Sequence, residues 1–227
     1  MHIPDGFLSP EVAAGSAVVA AAAVGVGLRR ADARLDDRLV PLLGVTGAFV
    51  FAAQMLNFPV AGGTSGHFLG AALATVLLGP WLACLVLAVV LATQSFVFAD
   101  GGVSALGANV LNMGVLGALG AGGVMLAARR VLPRRRGVLL AVAGAGAWLA
   151  VVSGAAGTAA CLALSGTVPL GTVLPAMLAV HVVIGVGEAV VTVAALSALM
   201  AARPDLLGAW APPDPPRARV RSLPQGA

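Results

Sequence analysis

All thirteen arginines of this 227-residue chain fall in three short segments, and the stretches between them are overwhelmingly apolar. Arg29, Arg30, Arg34 and Arg38 form one group. Arg129, Arg130, Arg134, Arg135 and Arg136 form a second, and Arg203, Arg217, Arg219 and Arg221 lie in the C-terminal tail. Hydrophobic residues make up 59% of the chain, charged residues 10%, and the mean hydropathy is +1.01. That is more apolar surface than a soluble domain of this length can bury. The expected fold is all-α, a polytopic bundle of about seven transmembrane helices. Basic loops stay on the cytoplasmic side, so the arginines report orientation. A nucleic-acid partner is excluded, because the clusters are short and sit at span ends; lipid is the surroundings.

Seven spans fit the charge pattern: 10–28, 39–56, 64–79, 81–99, 104–128, 137–164 and 172–201. From Phe68 to Ala99 the apolar run is broken only by Gly79-Pro80-Trp81. A single helix there would put the two arginine-rich loops on opposite sides. Two short helices with a break at Pro80, which disfavours helix at the residue before it, restore an even number of crossings. The third span is the short one, about 24 Å at helical rise. Seven crossings with a cytoplasmic tail put the N-terminus outside. Residues 1–9 lack a basic n-region and carry the turn signal Pro4-Asp5-Gly6, so no signal peptide is expected. The expected organisation is a membrane-embedded domain over 1–201 and a disordered Pro/Arg-rich cytoplasmic tail over 202–227. Cys84 and Cys161 fall inside spans and read as packing residues.

The intramembrane polar residues gather at one depth. Asn57, Thr64, Ser65, His67, Gln94, Asn109 and Asn112 all fall in the outer half of this topology, the side on which Met1 and His2 are expected. Polar groups in a bilayer are costly, so such a gathering marks a site or a set of mutual partners. Each has a plainer reading as well. Thr64 and Ser65 suit helix N-caps, Asn57 can end a helix, and Asn109 and Asn112 can bond neighbouring helices.

The start Met1-His2 has its own chemistry. A terminal amine, the backbone nitrogen of a second-place histidine and its near imidazole nitrogen close a five- and a six-membered chelate ring. The three nitrogens lie in a plane, which suits Ni(II) or Cu(II). His67, expected at the same face, is the candidate further imidazole. His181 and Glu188, seven apart on the last span, share a helix face. They read as a structural or conformational pair, because His181 lies about 13 Å along the helix from its outer end. Ala13, Ala17 and Ala21 form a small-residue face suited to close helix contact with a coupling partner, and Gly114, Gly117, Gly120 and Gly123 recur along the fifth span. No phosphate-binding loop is present, so ATP-driven transport would need a separate ATPase.

Three stretches, MHIPDGFLSP at the start, GGTSGHFLGAALATVLLGPW from Gly62 to Trp81 and LGANVLNMG from Leu106 to Gly114, resemble the CbiM/NikM family. These are substrate-binding S components of energy-coupling factor transporters for nickel and cobalt, and the resemblance covers about residues 1–200. It implies an N-terminus folded back into the bundle. It also implies a metal held by the Met1 amine, by backbone and side-chain nitrogens of His2, and by His67. Asn57, Ser65, Gln94, Asn109 and Asn112 would surround it. No catalytic cofactor is implied; Ni(II) or Co(II) is the transported substrate. The implied partners are a transmembrane coupling subunit, a small membrane accessory subunit and cytoplasmic ATPases. GTSGHFLG is nearer the NikM-like branch, which favours nickel. Two other classes fit the chain less well. A vitamin-binding S component would want an aromatic-lined pocket, and this chain has no Tyr. An intramembrane hydrolase using Ser65 and His67 lacks any oxyanion-hole motif and places the two poorly.

Overall fold

The computed structural model describes residues 1–32, 37, 39–60, 64–133 and 135–210, without the side chains of 58–60, 64, 65 and 208–210. Arg34, Arg38, Arg134, the side chain of Ser65 and the tail from 211, with Arg217, Arg219 and Arg221, lie outside that description.

Helix α1 (Pro10–Asp32) starts where the sequence supplies the signals for it. The Ser9 hydroxyl accepts the N–H of Val12, Pro10 stands at the first helical position and Glu11 sits in the first turn. After it come α2 (Leu39–Gln54), a ribbon of β1 (Phe58–Val60) antiparallel to β2 (Thr64–Gly66), α3 (Ala71–Leu78) and α4 (Pro80–Phe98). Then α5 (Leu106–Asn109), a π-helical stretch (Val110–Leu119) and α6 (Gly120–Val131) run on as one helix, before α7 (Arg136–Leu164) and α8 (Leu170–Ala202). Among the described residues five helices are long and apolar enough to cross a membrane, and Leu39–Gln54 is a shorter apolar one. The fold is all-α; two strands of three residues do not change its class.

The bundle is built for lipid. Val18, Val45, Phe96, Val183 and Val190 are exposed, while Gln54, Gln94, Asn109, Asn112, Thr158, His181 and Glu188 are buried. Helices α7 and α8 pack along one another, joined by the Trp148 indole N–H to the Val182 carbonyl.

The third span differs from the expected 64–79 helix. Its first part is strand and extended backbone, and only Ala71–Leu78 is helical. Eight residues rise about 12 Å, well short of the roughly 30 Å hydrocarbon core. Non-helical backbone survives at such depth only when protein, not lipid, surrounds it. Residues 66, 67 and 69–76 are all buried. Gly70 makes the turn from extended chain into α3 at φ +74, and a Cβ there would stand 2.7 Å from Val50.

The two ends of the bundle are distinct. At one, Asn57 bonds Asp100, Asp5 accepts from Ser104, and the Thr167 hydroxyl donates to the Phe7 carbonyl. At the other, Arg30 lies over the Trp81 ring at 4.9 Å and Arg136 donates to the Ser197 carbonyl. The described bundle continues past the expected boundary at 201. Pro204–Trp210 form a 3-10 turn whose Leu207 is buried against the helices.

Candidate metal centre

The N-terminal segment is a plug. Met1 and Ile3 are fully buried and His2 is 4% exposed. A chain end can be buried only if its peptide groups are met, and here side chains meet them. Asn109 brackets Ile3: its Oδ1 accepts the Ile3 N–H at 2.8 Å and its Nδ2 donates to the Ile3 carbonyl at 3.2 Å. Gly102 N–H donates to that carbonyl at 2.8 Å. The Thr158 hydroxyl donates to the Met1 carbonyl at 3.4 Å, and Asn112 Nδ2 donates to the Thr158 oxygen at 3.4 Å. Gly154 leaves room for the Met1 sulfur, which would stand 3.2 Å from a Cβ there.

The plug brings two imidazoles together. The rings of His2 and His67 have centroids 4.6 Å apart at an interplanar angle of 32°. His67 is fully buried on the non-helical part of the third crossing. Its Nδ1 lies 2.8 Å from the Phe68 carbonyl oxygen. A carbonyl only accepts, so Nδ1 carries the hydrogen and Nε2 presents a lone pair. Nε2 is buried with no hydrogen-bond partner among the described residues. Burial holds the Met1 amine down from 8.0 to about 4, with the charge of Asp100 opposing. It holds His2 down from 6.5 to about 4, helped by the amine's charge and again opposed by Asp100. Both nitrogens are therefore neutral near pH 7, the state a metal ligand needs.

The other expected residues are spread around this point. Asn57 is exposed and donates to Asp100 at 3.0 Å, and Asp100 in turn lies 3.7 Å from His2 Nε2. Gln94 is fully buried and both its amide atoms lack partners among the described residues. Asn112 reaches Thr158 and the Cys161 sulfur. Ser65 is placed only by its backbone, which pairs with Pro59. His181 and Glu188 do share the buried face of α8, but their bonds lead elsewhere. His181 Nδ1 goes to the Met177 carbonyl at 2.7 Å, and both Glu188 oxygens go to the backbone after His67.

Sequence reasoning missed Asp100, Gly101, Gln54 and Thr158. Asp100 had a signal: it is the lone acidic residue between Asp37 and Glu188, at the expected outer end of a span. Among the described residues no group of three His, Cys, Asp or Glu side chains could hold a metal.

The family described as the cobalt uptake substrate-specific transmembrane region, CbiM, matches residues 2–206. A putative metal transport protein of Haloquadratum walsbyi is 40% identical over 91% of this chain and 93% of its own length. A fused nickel transport protein NikMN of Rhodobacter capsulatus is 36% identical over 97% of this chain and 68% of its own. The crystal structure of a truncated transition metal transporter superposes with a TM-score of 0.81 at 31% identity, over 88% of this chain and 99% of that one. Multi-pass insertion in a prokaryotic plasma membrane follows from five apolar helices and this kinship. The chain belongs to the CbiM family, a membrane component of nickel and cobalt uptake transporters and not an enzyme.

Proposed function

We propose that this chain is the substrate-specific subunit of an energy-coupling factor transporter that takes up Ni(II) in preference to Co(II). One ion is held by the Met1 amine, the backbone and imidazole nitrogens of His2, and His67 Nε2. The observation that carries the reading is His67: a buried imidazole with its Nδ1 hydrogen committed, its Nε2 lone pair free, and its ring 4.6 Å from His2. A neutral buried amine beside it supplies a further nitrogen. Asn109, Thr158 and Asn112 hold the plug that carries the chelate, Asn57 and Asp100 stand beside His2, and Gln94 offers an amide within the same end of the bundle.

Nickel is favoured on two grounds. Planar nitrogen ligation suits it, and relatives such as the Archaeoglobus fulgidus protein carry nickel transport names. Copper would bind such nitrogens more tightly still, so selectivity in the cell rests on metal supply and on the shape of the plug. The chain has no nucleotide-binding motif. A coupling subunit, an accessory membrane subunit and ATPases are therefore the partners needed for uptake. The vitamin-binding alternative has no support from metal-transporting kin.

One residue added before Met1 tests the chelate directly, since it moves the amine out of the five-membered ring. Nickel binding measured by calorimetry on purified protein is expected to fall at least about 100-fold while helical content stays. Unchanged affinity in the extended protein sinks the terminal chelate.

A further inference from the structure

We propose that Glu188 is a positioning residue for the transported metal, acting on His67 through a single peptide group; this rests on His67 being a ligand, as argued above. Glu188 is 2% exposed, on the buried face of α8 that also carries His181 and Thr192. A carboxylate is costly there unless it serves partners. Both of its oxygens are in use. Oε2 accepts the Leu69 N–H at 2.8 Å and Oε1 accepts the Gly70 N–H at 2.7 Å. These groups lie just before the first turn of α3, where the broken crossing leaves donors without a helical partner. On the other side, Gln54 Nε2 donates to the Leu69 carbonyl at 2.8 Å. The segment after His67 is thus bracketed by α8 and α2.

The chemistry follows from which peptide is held. The Leu69 N–H and the Phe68 carbonyl belong to the same peptide unit, and that unit is planar. Glu188 fixes its N–H end; His67 Nδ1 bonds its carbonyl end at 2.8 Å. Holding the plane sets the direction of the carbonyl, the carbonyl orients the imidazole ring, and the ring, whose centroid lies 4.6 Å from that of His2, carries Nε2 with it. The carboxylate also polarises the peptide, making its carbonyl a stronger acceptor from Nδ1–H and Nε2 a better donor to a metal. This is the role a carboxylate plays when it bonds a ligating histidine directly, relayed here by one peptide.

The test is Ni(II) titration and the ligand-field absorption spectrum of the full chain in detergent. The variants are Glu188→Gln, Glu188→Ala, His67→Ala and the double variant Glu188→Ala/His67→Ala. Gln offers one acceptor and sets its own NH2 against the second N–H; Ala removes both acceptors. We expect Glu188→Ala to lower affinity about 10–100-fold and to shift the spectrum toward that of His67→Ala, with Glu188→Gln between. In the His67→Ala background Glu188→Ala is expected to add nothing, because its route to the metal is gone. Wild-type affinity and spectrum in both Glu188 variants overturn the proposal. So does an equal loss with and without His67, or failure of both variants to fold, since each makes Glu188 a general scaffold residue. If His67→Ala itself binds nickel normally, the ligand assignment has failed instead.

Discussion

At the scale of the residue, the buried terminus makes an unusual statement about protons. An amine held at about 4 is neutral across the physiological range, whereas in the unfolded chain it titrates at 8.0. Between those values the unfolded state binds more protons, so the contribution to stability is fully present above pH 8 and is lost as pH falls toward 4. At pH 7 burial of the amine already costs about 1 kcal/mol relative to alkaline conditions. Metal binding inherits the result. With the amine and His2 already neutral, only the His2 amide proton remains to leave. Calorimetry in buffers of different ionisation heat is expected to show about one proton released per nickel at pH 7, against about two for a free Met-His peptide. Two or more from the protein means that the amine is charged before the metal arrives. Gly101 gives a second prediction. It sits at φ +91, and a Cβ would lie 2.9 Å from His2 Nδ1 and 3.1 Å from Asn109 Nδ2. Gly101→Ala forces a strained backbone and pushes on the ligand at once. A drop in nickel affinity of about 10-fold or more, at unchanged helical content, is expected; wild-type affinity removes Gly101 from the site.

At the scale of the element, the plug is a short extended segment held by a side chain that imitates a neighbouring strand. Asn109→Leu leaves the Ile3 N–H buried and unmet, since Asn109 Oδ1 is its acceptor. The Ile3 carbonyl keeps its bond from Gly102. Docking is expected to weaken by about 1–3 kcal/mol, seen as faster amide hydrogen exchange over residues 2–5 with α7 and α8 unaffected; equal exchange rates refute it. The elements also show what the sequence made legible. That His2 and His67 come together could be read, because the arginine pattern placed both at one end of the bundle. The long helices could be read because lipid demands them. The third crossing could not: Phe68-Leu69-Gly70 is as apolar as a helix, and the carboxylate that accepts its Leu69 and Gly70 N–H groups is Glu188, more than a hundred residues away. The π-helical geometry of Val110–Leu119 likewise left no local mark. Small residues were half legible. Gly114 and Gly117 do face neighbours, whereas Gly120 and Gly123 face open space. Ala17, expected on a partner-docking face, lies against Gly107 of its own chain, where an added Cβ would collide with it.

At the scale of the whole molecule, two independent observations define the ends of the bundle. Hydrogen bonds tie Asn57 to Asp100, Ser104 to Asp5 and Thr167 to Phe7, so the loops that join these helices share the end that holds the plug. The arginines at 29, 30, 129, 130 and 136 lie at the opposite end. With α2 and the broken crossing counted beside the five long helices, the expectation is seven passages, and the positive-inside rule predicts the plug toward the exterior and the arginines toward the cytoplasm. Val103 and Leu132 are exposed near the two ends, at 47% and 44%. Single cysteines at these positions, in a background with the buried Cys84 and Cys161 replaced, are expected to react with an impermeant thiol reagent from opposite sides of intact cells. Val103→Cys should label from outside and Leu132→Cys only after the membrane is opened. Labelling of both from one side breaks the seven-passage parity. Labelling with the sides exchanged keeps the parity but points the plug at the cytoplasm, and then the N-terminal chelate would be an exit site rather than the place of capture.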